Sequence, residues 1–397
     1  MGSPLPLPGD AARAVSQALT EKVTRAISDN ADCLPFDDFM AMALYEPGLG
    51  YYSNGLTPFG ERGDFITAPE SGNLFGRCLA RSIASALAQL DGGDVLELGA
   101  GSGVLAGVVL EELQRLGAMP RRYLILERTA AMRDLQQKHL QDMTASIGIT
   151  VEWLDQLPGE PINGVVFGNE VADALPVNRF HWQDGQVECL GVGWDGEKLS
   201  NCSRSCGDSL ISYVRGLAKD YGWQTSYQSE YCPSLSAWVR SLGDCVGRGV
   251  LMLIDYGYGR AEYYHPQRTM GTLMCHYRHQ AHPDPLWYPG LQDITAFVDF
   301  TTIAEAATDA GMGMLGYTSQ AQFLMGCGID VLLSAADPED TRRYLMLSNE
   351  AKRLMLPSEM GERFKVIGFS RGLSQDVLGF TAVSYTHLTL PTMLAQC

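Results

Sequence analysis

Three glycines alternate with small residues in Gly99-Ala100-Gly101-Ser102-Gly103, and an acid, Glu97, stands two positions ahead of them. The apolar stretch before them predicts a buried strand running into a tight turn that opens a helix. Backbone N–H groups and a helix N-terminus then face a ligand at close range. A dinucleotide fingerprint has the spacing GxGxxG, whereas here the third glycine comes one residue early and Val104 follows it. A pyrophosphate has no use for the carboxylate of Glu97, but a ligand carrying an ammonium and a sulfonium does. The residues therefore favour S-adenosylmethionine over a nicotinamide dinucleotide; the plainer alternative is a tight strand-to-helix turn. The next predicted strand ends at Glu127, where an acid accepts both ribose hydroxyls in doubly wound nucleoside sites. Asp155, after the third strand, is a candidate for the adenine amino group, or a residue that only caps a helix.

A second group of candidates follows the fourth predicted strand, in Asn169-Glu170-Val171-Ala172-Asp173. Residues at the carboxyl ends of such strands face the ligand crevice. Methyl transfer from a sulfonium is an in-line displacement, so the protein mainly positions a lone pair opposite the leaving sulfur. A guanidinium, with a pKa above ~12, does not give up a proton in bulk water. Carboxylates instead hold the cation bidentately and steer charge away from the attacking nitrogen. Glu170 and Asp173, with Asn169 beside them, are the expected catalytic residues, although Asp173 also reads as a simple cap. Asp255 ends another apolar run and is expected on the same sheet edge. The segment Gly271–Asp299 carries His276, His279, His282, Asp284 and Asp293. Histidines at this spacing in a Pro-rich loop share no regular face, so metal ligation is not expected. Asp255, His279 and Asp293 are assigned instead to substrate positioning, with general base a lesser option.

Positioning such groups takes a sheet with helices between its strands. A short apolar run within 93–103, ending in the glycine turn, and apolar runs at 121–127, 149–154 and 162–170 alternate with helical periodicity at 104–117 and 129–143, the signature of a doubly wound, mostly parallel α/β fold. Residues 11–30 and 33–45 read as helices. A Gly-, Pro- and Tyr-rich loop runs from Glu46 to Gly72, long enough to suggest function. The alternation and DG turns from Arg179 to Ser200 suggest antiparallel hairpins, and a last strand is expected near Arg363–Phe369. The expected division is N-terminal helices and a covering loop at 1–72, a Rossmann-like core at 73–180, an inserted α+β substrate region at 181–247, and the rest of the sheet at 248–382. Residues 383–397 read as a non-native or disordered tail.

Composition narrows the class. With 29 basic and 46 acidic residues the net charge is −17, and no basic patch is concentrated anywhere, so nucleic acid is not an expected partner. An acidic surface suits a cationic substrate, or solubility alone. Ten cysteines are scattered without a CxxC pair, which suggests ordinary reduced, mostly buried thiols. No secretory leader or membrane span is apparent, so the cytoplasm is the default compartment. The sequence sets no oligomeric state.

Several stretches together resemble the MidA-like S-adenosylmethionine methyltransferases, a family that includes a mitochondrial complex I assembly factor. They are Tyr45-Glu46-Pro47-Gly48 through Tyr51-Tyr52, Gly63-Asp64-Phe65-Ile66-Thr67-Ala68-Pro69-Glu70, Glu97 to Gly103, and Asn169-Glu170 with Asp173-Ala174-Leu175-Pro176-Val177. Ile254-Asp255-Tyr256-Gly257, Gly271-Thr272-Leu273, Gln292-Asp293-Ile294-Thr295 and Met360-Gly361-Glu362-Arg363-Phe364-Lys365 extend the likeness over roughly Pro35 to Phe369. The string from Gly63 to Glu70 is specific, while the glycine turn alone is not. The resemblance implies a class I methyltransferase fold and protein-arginine N-methylation, with a respiratory complex I subunit as the eukaryotic substrate. It also implies that the loop bearing Asp64, Thr67 and Pro69 closes over the cofactor. Phe297, where the family commonly has His, and Val171-Ala172, in place of bulkier residues, depart from the pattern and leave the substrate open. The alternatives are a small-molecule methyltransferase and a non-catalytic assembly chaperone with a vestigial cofactor site.

Overall fold

The apolar runs that predict strands lie side by side in one sheet of a computed structural model, which describes residues 5–56, 72–335, 337 and 339–380. Its strands follow the order Gly313–Ser319, Phe364–Arg371, Val246–Tyr258, Ile162–Asn169, Asp94–Leu98, Tyr123–Leu126 and Val151–Leu154, with Val298–Asp299 appended beside Val246–Tyr258. From Val246–Tyr258 to Val151–Leu154 the neighbours are parallel, and Phe364–Arg371 runs antiparallel between its two partners. Parallel strands need crossover helices, and those helices bury both sheet faces. Accordingly Val95, Val165, Phe167, Met252 and Ile254 pack in one core with Phe75, Leu79, Ala106 and Leu110 of the helices Leu74–Leu87 and Val104–Arg115.

This sheet belongs to one of two compact units, made of Ile66–Val171, Ser236–Gly259 and Val298–Cys397. The other unit is assembled from three stretches distant in sequence: Met1–Phe65, Ala172–Leu235 and Arg260–Phe297. In it the strands Leu34–Pro35, Gln186–Trp194, Asn178–Gln183 and Tyr227–Tyr231 lie in that order, with Leu199–Ser205 also paired to Gln186–Trp194. All of these pairings are antiparallel, as the DG turns suggest. The N-terminal helices Asp10–Asp29 and Phe36–Tyr45 contribute Leu19, Val23, Phe36, Phe39 and Leu44 to this unit's own core, together with Val177 and Val192.

Two expectations are corrected. Four cysteines expected as thiols are paired in this structure: Cys33 bonds to Cys202 and Cys189 to Cys206, while Cys78, Cys232, Cys245, Cys275 and Cys327 are free. Strand pairing is the physical reason. Cys33 precedes a strand that pairs with Gln186–Trp194, and Leu199–Ser205, which also pairs with Gln186–Trp194, carries Cys202 opposite Gly191. A Cβ at Gly191 would fall 2.9 Å from the Cys33 sulfur, so the glycine leaves the bond its room. The expected loop around the histidines is also ordered. Met274–Tyr277 and Gln280–His282 form a hairpin whose two turn residues, Arg278 and His279, both have positive φ, as a tight two-residue turn requires. Asp293–Thr295 adds a third strand.

Candidate active site

In the sheet-bearing unit, the strand Asp94–Leu98 delivers the glycine turn. Gly99, Gly101 and Gly103 have φ of +59°, +53° and +85°, backbone that a side chain disfavours. Gly103 caps the helix Val104–Arg115, and its missing Cβ leaves contact distance, 3.4 Å, to the backbone of Gln136. Gln136 was not singled out from the sequence, and it ties the surroundings of the turn together. Its Nε2 donates to Gly101 O at 3.0 Å and to Glu127 Oε2 at 3.1 Å, and its Oε1 accepts from Trp153 Nε1 at 2.9 Å. Glu127 Oε1 accepts from Thr129 N at 2.9 Å, so the carboxylate expected to meet the ribose is held at both oxygens. The only signal in the sequence was a polar residue on the apolar face of its helix, where Met132 and Leu140 are also buried.

Glu97 is buried, 2% exposed, on the face that Val95 gives to the core. Tyr123 Oη donates to its Oε2 at 2.6 Å. Burial pushes the carboxyl up to about 7, although the tyrosine hydrogen bond opposes the rise. Glu97 is thus a buried acid close to neutral titration under the turn rather than a fixed surface anion. Asp155 is exposed, and a strand rather than a helix follows it, so the capping alternative has no helix to serve. Asp64, Thr67 and Pro69 lie outside the described residues.

The carboxyl end of Ile162–Asn169 carries the second cluster of this unit. Glu170 has φ +53°, strained for a residue with a Cβ. The turn is fixed by Glu170 N donating to Ile254 O at 2.9 Å and by Val171 N donating to Asp255 Oδ2 at 3.2 Å. Asp255, 1% exposed, also accepts from Tyr256 N at 2.9 Å, so it braces backbone here. Asn169 Nδ2 donates to Glu170 Oε1 at 3.1 Å and Tyr256 Oη to Glu170 Oε2 at 3.0 Å. Among the described residues the buried Asn169 Oδ1 has no hydrogen-bond donor. A glycine cradle with a buried acid close by suits a nucleoside bearing an amino-acid tail and a sulfonium.

The other unit holds Asp173, Asp293 and His279. Asp173 is 4% exposed, and its carbonyl accepts from Ala296 N at 3.0 Å. Tyr52 Oη donates to Asp293 Oδ1 at 2.9 Å, and its ring stacks on Tyr45, whose hydroxyl donates to Ala174 O at 2.8 Å. Burial, then the charges of Asp293 and Asp173, hold the Tyr52 phenol well above its ordinary range. The structure therefore gathers Asp173 and Asp293 around Tyr52, which sequence reasoning placed only in an aromatic loop. His279 is exposed at the hairpin turn, apart from that buried group. His282 pairs opposite Cys275 and His276 opposite Ala281, which puts the imidazoles on opposite faces of the ribbon. Burial lowers both below the usual histidine range. Among the described residues, no three His, Cys, Asp or Glu side chains are grouped as a metal site.

Comparison with known proteins gives this geometry its context. The chain is 40% identical to a COG1565 superfamily member from Burkholderia thailandensis crystallised with S-adenosyl-homocysteine, with a TM-score of 0.92, covering 97% of this chain and 100% of that one. It is 27% identical to the rat protein arginine methyltransferase NDUFAF7, mitochondrial, covering 82% of this chain and 78% of the relative. The Drosophila melanogaster homologue is also 27% identical, over 86% of this chain and 82% of its own length. A family model describing S-adenosyl-L-methionine-dependent methyltransferases matches residues 78–318, more than half of the chain. The glycine turn, the sheet order and these matches agree that the chain belongs to that family and is an S-adenosylmethionine-dependent methyltransferase.

Proposed function

We propose that the methyl group goes to a guanidino nitrogen of an arginine in a protein substrate, a respiratory complex I subunit or its homologue. The observation that carries this reading is the carboxylate of Glu170 at the sheet's carboxyl edge. A guanidinium presents N–H donors in a planar fork that matches a carboxylate and a neighbouring amide oxygen. Glu170 and Asn169 Oδ1 offer such an acceptor set. When bound, the cofactor supplies an electrophilic methyl carbon. Glu170 would hold the cation so that one nitrogen lone pair faces that carbon; as the N–C bond forms the methyl–sulfur bond breaks, its electron pair staying on the departing thioether sulfur, and the nitrogen's proton passes to the Glu170 carboxylate. The names of the relatives at about 27% identity support the arginine reading for this chain. The acidic surface, net charge −17, suits a basic segment of a protein. We also propose the cytoplasm as its compartment.

The test is incubation of a lysate of the source organism with isotopically labelled S-adenosylmethionine, followed by mass spectrometry of the labelled peptides. Label on arginine is the expected result. Label confined to small molecules, or to residues other than arginine, overturns the proposal.

A further inference from the structure

Tyr256 lies beside the reacting edge without an assigned role. It directly follows Asp255 on Val246–Tyr258 and pairs with Phe364 on the antiparallel neighbour. The two rings lie 4.1 Å apart between centroids. A ring pinned by a cross-strand partner has little freedom, so its hydroxyl occupies a position set by the sheet. That hydroxyl donates to Glu170 Oε2 at 3.0 Å, while Asn169 Nδ2 takes Oε1. The two oxygens of one carboxylate are thus addressed from two different strand ends. The backbone of Glu170 is fixed independently, through Ile254 O.

We propose that Tyr256 is a positioning residue for Glu170: with Asn169 it sets the rotation of the carboxylate and keeps it an ionised acceptor for a cationic, N–H-bearing substrate group. The proposal rests on Glu170 being the carboxylate that meets that group. Tyr256 donates in this arrangement, so its own proton is engaged and it does not act as the base. A donor on each oxygen favours the charged form of a carboxylate. Glu170, with the buried Asn169 Oδ1 beside it, forms the acceptor set for the substrate.

Tyr256→Phe keeps the ring on Phe364 and removes one hydroxyl. Turnover is read as label transferred from S-adenosylmethionine into lysate protein, and cofactor-site integrity as S-adenosyl-homocysteine affinity by calorimetry. We expect affinity within about twofold of wild type, since the hydroxyl lies on Glu170 and not on the glycine turn. We expect turnover to fall about tenfold, the scale of one charge-assisted hydrogen bond. The acid limb of the pH–rate profile should move up by about half to one unit, because a carboxylate that loses a donor protonates more readily. In a Glu170→Gln background the residual turnover should not fall further. Phe364→Leu, which loosens the ring without touching the hydroxyl, should give a smaller loss with the same direction of pH shift. An unchanged pH profile in Tyr256→Phe, or equal losses with and without Glu170, overturns the proposal and leaves Tyr256 structural. Full turnover in Glu170→Gln overturns the role of Glu170 itself, and that result does not depend on any Tyr256 variant.

Discussion

At the scale of single residues, the glycine turn and the acid beneath it make opposite demands. Gly101 has φ +53°, and Val there would place a β-branched side chain in left-handed backbone, at a cost of about 1–2 kcal/mol before any clash with ligand. Gly101→Val is therefore expected to lose S-adenosyl-homocysteine binding in calorimetry; unchanged affinity would remove the turn from the site. Glu97 sets a pH dependence. Its folded carboxyl lies near 7, above the ordinary 4.5, so the penalised species is the buried anion. The stability it contributes is present on the acid side and declines as pH rises from about 4.5 through 7. Binding of a positive sulfonium runs the other way, since the anion attracts it. We expect S-adenosylmethionine affinity to strengthen as pH rises from 6 to 8 more steeply than affinity for the thioether product, which keeps the ammonium but lacks the sulfonium charge. The difference should vanish in Glu97→Gln. Parallel pH curves for the two ligands would show that Glu97 does not sense the sulfonium.

At the scale of elements, the helix Ala130–Ile147 does more than cross from one strand to the next. Through Gln136 it fastens the glycine turn, the end of Tyr123–Leu126 and Trp153 of Val151–Leu154. Gln136→Leu removes a hydrogen-bond partner from a part-buried carbonyl, a carboxylate and an indole N–H, each bond contributing about 0.5–1.5 kcal/mol. We expect S-adenosylmethionine to bind at least about tenfold more weakly, with a lowered melting temperature. Wild-type affinity would confine Gln136 to packing. This element also marks what the sequence could reveal. The parallel strands were legible because they are continuous apolar runs between helical periods, and the glycine turn because it ends such a run. Gln136, Tyr123 and Tyr256 were not, since each acts through a partner on another strand or helix. The cysteines fail the same way: Cys33 and Cys202 are 169 residues apart, and only strand pairing brings them together. The histidine segment misled because the turn at Arg278 and His279 has none of the Gly or Asn that usually marks positive φ.

For the whole molecule, the disulfides and the compartment bear on each other. Both bonds lie in the unit built from Met1–Phe65, Ala172–Leu235 and Arg260–Phe297. Cys33–Cys202 closes a loop of 169 residues and Cys189–Cys206 one of 17. In the chain-entropy account these stabilise by roughly 5 and 3 kcal/mol, so the long loop dominates. Reduction should lower the melting temperature of this unit, and Cys33→Ser with Cys202→Ser should reproduce most of the drop. S-adenosyl-homocysteine binding should survive, because Glu97, the glycine turn and Gln136 belong to the other unit, which has its own core. A cytoplasm kept reducing by glutathione and thioredoxin would hold the same four residues as thiols. Alkylation at the moment of lysis reads which state the chain occupies in its own cells. Label on Cys33, Cys189, Cys202 and Cys206 is expected if the cytoplasmic proposal is right, and purified protein oxidised in air should then lose that label and gain stability. Four blocked cysteines at lysis would overturn the proposal and assign the chain to an oxidising compartment, with the bonds part of its working fold.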